Sequence, residues 1–289
     1  MSRGIDHVIH LVRNLEAAAA TYEKLGFLVG PRNKHPFGTH NRIVQLDGSY
    51  IEILEVAEPE KIQGKGGPVS FAHFHRDFLA RNGEGLSGLV LSSADANADK
   101  AIFDKAGFGG FPVFDFGRMG KRPDGSEAEL AFSLAFLREP DSSDAMTFVC
   151  QHKRPENFWF RELQAHPNGA ARVSAVIFTA DSPTDQQYFF QTWTGIRDPR
   201  STSLGVTFET PRGTVQVTEP RPFEDALGFM PPVAKGLRFS AACFAGDAAK
   251  LRAAVAKSGL SAQERNGRLA IHVHGTVLAF EAGTTGQPG

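Results

Sequence analysis

The chain is 289 residues long, with 22% of them charged and a formal net charge of −1 at neutral pH. That length allows one large domain or two of ordinary size. A balance so near neutral, without a basic stripe interleaved with aromatics, argues against a nucleic-acid partner or an anionic membrane surface. The opening MSRGIDHVIH has no apolar signal-peptide core and no stretch approaches a spanning helix, while the two cysteines, Cys150 and Cys243, suit a reducing cytoplasm better than a disulfide scaffold.

In chain order, one pattern recurs four times. An extended run leads through a capping residue into a helix of about three turns, then a glycine, then further strands. In the first copy IDHVIHLV leads to Asn14, a suitable N-cap, and LEAAAATYEKL puts Leu15, Ala18, Tyr22 and Leu25 on one face before Gly26. NRIVQL, a turn at Asp47-Gly48, and YIEILEV then form a hairpin. A polar segment over 57–85 follows, with a short helix expected over 70–81. The second copy runs from GLVLSS through ADANADKAIFDKA to Gly107, then AELAFSLAFL and MTFVCQH, with 115–127 expected as a solvated loop or a lid. The third copy starts at RVSAVIFTA, passes Pro183, a good first-turn residue, and ends in a hairpin turning at PRG. The fourth starts at LRFSAACFA, caps with Asp247, and ends in RLAIHV and TVLAFEA, which turn at His274-Gly275. A single βαβββ unit leaves one sheet face bare, so four units make two pairs. The polar connection over 153–168 divides domains of residues 1–160 and 168–289.

Four βαβββ copies, with "DHV" on the first strand and an acid on the last strand of that copy, resemble the vicinal oxygen chelate superfamily. Its members include glyoxalase I, extradiol dioxygenases and bleomycin-resistance proteins. The runs "GIDHVIHLVRNLEAAAATYEKLGF", "HPFGTHNR", "YIEIL" and "CQHKRPENFW" look like its glyoxalase-like domain group. The resemblance implies an α+β fold of two domains with cup-shaped mixed β-sheets. It also implies a divalent metal (zinc, nickel, manganese or iron(II)) held by side chains from the first and last strands of each module. Carried over, His7 and Glu52 are the ligands of module one, and Glu52 is also the candidate proton-transfer residue. Module two offers Ser87 and Gly88 on its first strand and no acid on its last, so His152 stands as the third ligand, with water or Ser87 completing the shell.

The residues themselves support part of this. Strand alternation sets His7 with Ile5, Ile9 and Leu11, and Glu52 with Tyr50 and Leu54. A carboxylate among such neighbours is costly unless it is paired or bound to metal. The competing readings are a hydrogen-bonded core histidine for His7, an exposed strand glutamate for Glu52 and a strand-end histidine for His152. His10 faces away from His7. His73, His75, His272 and His274 read as structural. The loop KHPFGTHNR supplies His35, Asn41 and Arg42 to orient a substrate carbonyl or carboxylate, and Phe148 lines the same space among the 24 phenylalanines of the chain. With no histidine on RVSAVIF or LRFSAAC, dioxygenase chemistry in the second domain is set aside. That domain is expected to complete a pocket wall or a homodimer contact. The expected function is a glyoxalase-like lyase, isomerase or hydrolase acting on a small oxygenated molecule. The alternative is a metal-free small-molecule binder of the bleomycin-resistance type.

Overall fold

The computed structural model describes residues 1–67, 69–140, 144–233 and 236–283. The first half contains β1 (Ile5–Val12), α1 (Leu15–Lys24), β2 (Asn33–Lys34), β3 (Thr39–Leu46), β4 (Ser49–Val56), α2 (Phe71–Asn82), β5 (Gly85–Ser92), α3 (Ala96–Lys105), β6 (Phe114–Lys121), β7 (Glu127–Leu137) and β8 (Met146–His152). Its eight strands form one mixed sheet in the order β2-β3-β4-β1-β5-β8-β7-β6. The second half contains β9 (Ala170–Thr179), α4 (Gln187–Thr194), β10 (Arg200–Thr202), β11 (Gly205–Glu209), β12 (Thr214–Thr218), α5 (Pro220–Leu227), β13 (Arg238–Gly246), α6 (Ala248–Ser258), β14 (Ala262–Arg265), β15 (Arg268–Val273) and β16 (Thr276–Ala282). They form a second sheet in the matching order, β10-β11-β12-β9-β13-β16-β15-β14. The α+β class with two cup-shaped mixed sheets is therefore as the sequence predicts. No helix among the described residues is long and apolar enough to cross a membrane.

Local chemistry sets the helices. Asn14 accepts from the Ala17 amide, and Asp95 and Asp247 each accept from two first-turn amides, so orphan donors are satisfied at three helix starts. Helices α1, α3, α4 and α6 pack between the sheets. One continuous core joins Val8, Val12, Tyr22 and Phe103 from the first half to Phe178, Phe190, Trp193 and Phe244 from the second. Each sheet turns its other face away from this core. In the first, Ile9, Leu11, Tyr50, Leu54, Val90 and Phe148 line that face, with Phe78 of α2 over it. In the second, Ala175, Ala241, Ala270 and Ala279 leave room that Phe223 and Leu227 of α5 fill.

Two differences from the sequence reading matter. Residues 115–127, expected as a loop or lid, instead carry most of β6 and its turn into β7, with Phe114 to Lys121 paired along Leu134 to Glu127. The side chains there alternate between exposed and half-buried, which explains why periodicity alone missed the strand. In addition, β1 contains a bulge: its register against β5 slips between Ile5 and His7. The extra residue turns Ile5 into the inter-sheet core and leaves Asp6 and His7 both facing the cup. Ile5 thus does not share the face of His7.

Candidate functional site

His7 lies on β1 and Glu52 on the neighbouring strand β4, which runs parallel to β1 with His7 opposite Tyr50 and Ile9 opposite Glu52. Both are buried, and His7 Nε2 is 3.9 Å from Glu52 Oε2. His35, from the β2–β3 turn, approaches the other oxygen, with Nε2 3.8 Å from Oε1. Asn41 of β3 donates to that oxygen at 2.5 Å. Phe37, Phe71, Phe114, Phe116, Phe132 and Phe148 close around these groups and leave a cavity of about 50 Å³. That space is about the size of one or two waters, each of which occupies ~30 Å³ in the liquid.

The hydrogen-bond polarity of the site follows from one obligate donor. Arg118 on β6 donates to Asn33 Oδ1 at 3.1 Å, Asn33 Nδ2 donates to Asn41 Oδ1 at 3.1 Å, and Asn41 Nδ2 faces Glu52 and, at 3.3 Å, His35 Nε2. Because arginine only donates, both amide orientations are set. His35 Nε2 is then an acceptor and its Nδ1–H donates to Thr39 Oγ1 at 2.8 Å. Burial, opposed by Glu52, pushes the His35 imidazole down to about 4, so it is neutral at neutral pH. His7 Nδ1 lies 2.7 Å from Asp6 Oδ1, and with Nδ1 protonated its Nε2 lone pair also faces Glu52. Glu52 thus stands between the His7 and His35 Nε2 atoms, and the Asn41 amide N–H groups are shared between Glu52 Oε1 and His35 Nε2. The same chain joins β2 to β6, the two ends of the sheet order, and so closes the cup.

Asp6 is buried between His7 and His152, whose Nε2 is 3.3 Å away. Burial alone would raise its carboxyl, but the His152 and His7 imidazoles prevail and hold it well below the usual carboxylate range. Burial, with Asp6 and Glu52 nearby, pushes the Cys150 thiol well above its usual range, and burial does the same for the Tyr50 phenol, which stacks on His7 at 4.3 Å. Asp6, Cys150 and His152 are the one set of three metal-type side chains whose ligand atoms lie within 4.8 Å of one another among the described residues.

Of the residues singled out from the sequence, His7, Glu52, His35, Asn41 and Phe148 come together around the cavity. His152 does not join them. It sits at the end of β8, behind Asp6, and lines a separate cleft with Asp47 and Arg212. Arg42 also turns away. Side chains alternate along β3, so Asn41 inside puts Arg42 outside, where it bonds Gly30 O and Glu16. His10 bonds Tyr22 on the helix side, as expected. The residues the sequence reading missed are Asp6 as the partner of His7, and Asn33 and Arg118. Asp6 adjoins His7, but its inward direction depends on the bulge, and Arg118 lay in a stretch read as loop.

The repeat explains the one-sided site. Gly4-Ile5-Asp6-His7 matches Gly85-Leu86-Ser87-Gly88, and β5 carries its own slip at Ser87. His7 then corresponds to Gly88. Ile9 opposite Glu52 corresponds to Val90 opposite Phe148. A Cβ on Gly88 would lie 2.9 Å from Ile9 Cδ1 and 3.2 Å from Met146 O, so packing occupies the place of a ligand. In the second sheet the corresponding positions hold Ala175 and Gln216, then Ala241 and Ala279.

A family model described as a glyoxalase-like domain matches residues 5–194. No curated protein matches the chain. Among solved structures, a hypothetical protein from Staphylococcus aureus is 14% identical over 97% of this chain and 99% of its own, with a TM-score of 0.71. A mutant of 4-hydroxymandelate synthase from Streptomyces coelicolor is 11% identical over 97% of this chain and 92% of its own, with a TM-score of 0.54. A xylose isomerase-like TIM barrel/4-hydroxyphenylpyruvate dioxygenase fusion protein aligns half its length with all of this chain at 13% identity and a TM-score of 0.54. Likeness at these identities is likeness of fold. The family match spans more than half of the chain, and with the paired βαβββ sheets it identifies the protein as a member of the glyoxalase-like domain family, within the vicinal oxygen chelate superfamily.

Proposed function

We propose that the first cup is the active site of a glyoxalase-like lyase, isomerase or hydrolase acting on a small oxygenated molecule. One observation carries this reading. His7 Nε2 and His35 Nε2 approach the two oxygens of Glu52, at 3.9 and 3.8 Å, while Asp6, Thr39 and the Arg118–Asn33–Asn41 chain hold these groups from behind. The residue types suit a divalent cation and each imidazole is oriented by a bond to its far nitrogen, but the three ligand atoms do not all lie within 4.8 Å of one another, so the side chains would draw in around the ion. His7 and Glu52 would hold it, with His35 in place of His152. Two imidazoles and a carboxylate suit zinc, nickel, manganese or iron(II). When bound, the ion would polarise a carbonyl and stabilise an oxyanion.

The chain's own groups do the rest. Asn41 holds Glu52 Oε1, so Oε2 is the oxygen that would take a proton from a carbon beside the carbonyl. Tyr50 stays protonated and braces the His7 ring. The phenylalanines exclude water and pack on the apolar part of the substrate. Both cysteines are buried free thiols, which suits the reducing cytoplasm proposed for the protein.

Gly88 and Phe148 in the module-two positions favour a second reading, a metal-free binder of small aromatic molecules. Elemental mass spectrometry of tag-free protein separates the two. Near-stoichiometric metal after reconstitution, lost in His7→Ala and Glu52→Ala, weakened in His35→Ala and retained in His152→Ala, supports the enzyme. No uptake of zinc, nickel, manganese or iron(II) by folded wild type overturns it and leaves the binder.

A further inference from the structure

Beside the small cavity lies an open cleft of about 450 Å³, and the two share Ile43, Arg118 and Phe158 as a common wall. The cleft floor is apolar, with Leu28, Val29, Leu130, Phe160 and Leu163. Its ionisable lining is lopsided: Arg32, Lys34, Arg118 and Lys121 face a single acid, Glu127. Arg32 is already neutralised by Glu16 and Glu55. Arg118 is not. Its Nη1 serves Asn33 Oδ1 and, at 3.4 Å, Met119 O, and no carboxylate pairs with it among the described residues. Burial lowers its pKa against the pull of Glu52, which means that the cation is partly desolvated without an ion partner. A planar guanidinium with its remaining N–H groups unengaged presents a fork that matches a carboxylate.

We propose that Arg118 is the carboxylate-binding residue of this pocket. The substrate would then be a small carboxylic acid that enters through the cleft and carries its reacting oxygens toward Glu52. The assignment rests on the active-site reading above and narrows its substrate class. Lys34 and Lys121 draw the anion to the rim, the apolar floor takes the body, and Arg118 sets the distance from the charged end to the site of proton transfer. A neutral carbonyl compound of the same shape lacks the anchor.

Calorimetric titration tests this with benzoate, phenylacetate and phenylpyruvate, each beside its amide, and with inorganic phosphate, in the presence and absence of EDTA. At least one acid should bind wild type roughly ten- to a hundredfold more tightly than its amide. Arg118→Met should remove that difference without changing amide affinity, and Arg118→Lys should keep part of it. Glu52→Gln, which disables the proposed chemistry, should leave the discrimination intact, so failure of the enzyme reading and failure of this one give different results. The proposal falls if no acid binds at millimolar concentration or if Arg118→Met weakens acid and amide alike. It also falls if EDTA abolishes the preference, or if phosphate binds as tightly as the acids and loses affinity in the same variant.

Discussion

Replacing Gly88 by alanine tests whether packing has taken the place of the second half of the ligand set. The backbone accepts the change, because Gly88 is not among the glycines with positive φ. The obstacle is space: the new Cβ would lie 2.9 Å from Ile9 Cδ1 and 3.2 Å from Met146 O. Overpacking a well-filled site costs about 1–3 kcal/mol, against a gain of about 0.5–1 kcal/mol for removing a strand glycine, so a net loss of about 1 kcal/mol is expected. Ile9→Val deletes the clashing Cδ1 and by itself costs about 0.5–1.5 kcal/mol. In that background Gly88→Ala should be close to neutral, because the valine cavity receives the added methyl. The double mutant should therefore be more stable than the sum of the singles by about 1 kcal/mol. Urea unfolding, followed by fluorescence and circular dichroism to check for one transition, measures all four corners of the cycle. Strictly additive losses would refute the contact and, with it, the register that sets Gly88 in the place of His7.

Three other outcomes are expected. Asp6→Asn keeps the shape but removes the carboxylate that orients His7, so zinc affinity in a chelator competition should fall roughly 10–100-fold with the fold intact. Arg3 is buried, pairs with Asp99 at 2.6 Å and donates to Thr192 O and Trp193 O, which ties the start of β1 to both halves; Arg3→Ala should cost about 3 kcal/mol or more in urea unfolding. Burial pushes His10, His35 and His75 down to about 4, so each stays neutral when folded while the unfolded chain takes up protons below pH 6.5. Stability is then complete above pH 6.5 and is lost as the pH falls toward 4, by up to about 3 kcal/mol per histidine. Among the described residues His75 Nε2 has no partner and Nδ1 bonds Phe71 O at 2.7 Å, so His75→Leu should cost about 1 kcal/mol at pH 7 and flatten that acid loss in EDTA-treated protein.

The modular fold was legible because its signals are local. Asn14, Asp247 and Pro183 mark helix starts by chemistry that acts within one turn, and Asp47-Gly48 supplies the hairpin turn, although the Asp47 amide also donates to Ala171 O at 2.8 Å. His7 and Glu52 were legible through the family resemblance; alternation agreed with them but could not by itself choose a face, because β1 is buried on both. The rest depends on events that no local pattern records. The inward turn of Asp6 comes from a one-residue slip against β5. Arg118 enters the site only because the ends of an eight-stranded sheet curl until β6 meets β2. His152 has the right neighbours on its strand, but β8 runs antiparallel to β1, and four residues past Phe148 its end reaches Asp6 and not Glu52.

That geometry also gives the second half a task although its cup holds no comparable ligand set among the described residues. Small residues line it, and Phe223 and Leu227 fill it. What reaches the first cup is the turn between β11 and β12. Arg212 accepts from the Ile5 amide at 3.0 Å through its carbonyl and donates from Nε to Ile5 O at 2.9 Å. These bonds clamp the peptide immediately before the Asp6 bulge. The approach is close enough that a Cβ on Gly4 would lie 2.7 Å from Arg212 Cβ, and one on Gly213 would lie 2.8 Å from Ile5 Cδ1. A bulge lacks part of its ladder, and the slip in β1 would let Asp6 and His7 drift if the strand depended on β5 alone. The second sheet supplies the missing hydrogen bonds from outside the first. The direction of His7 is therefore a property of the whole chain, although the side chains around it come from the first half.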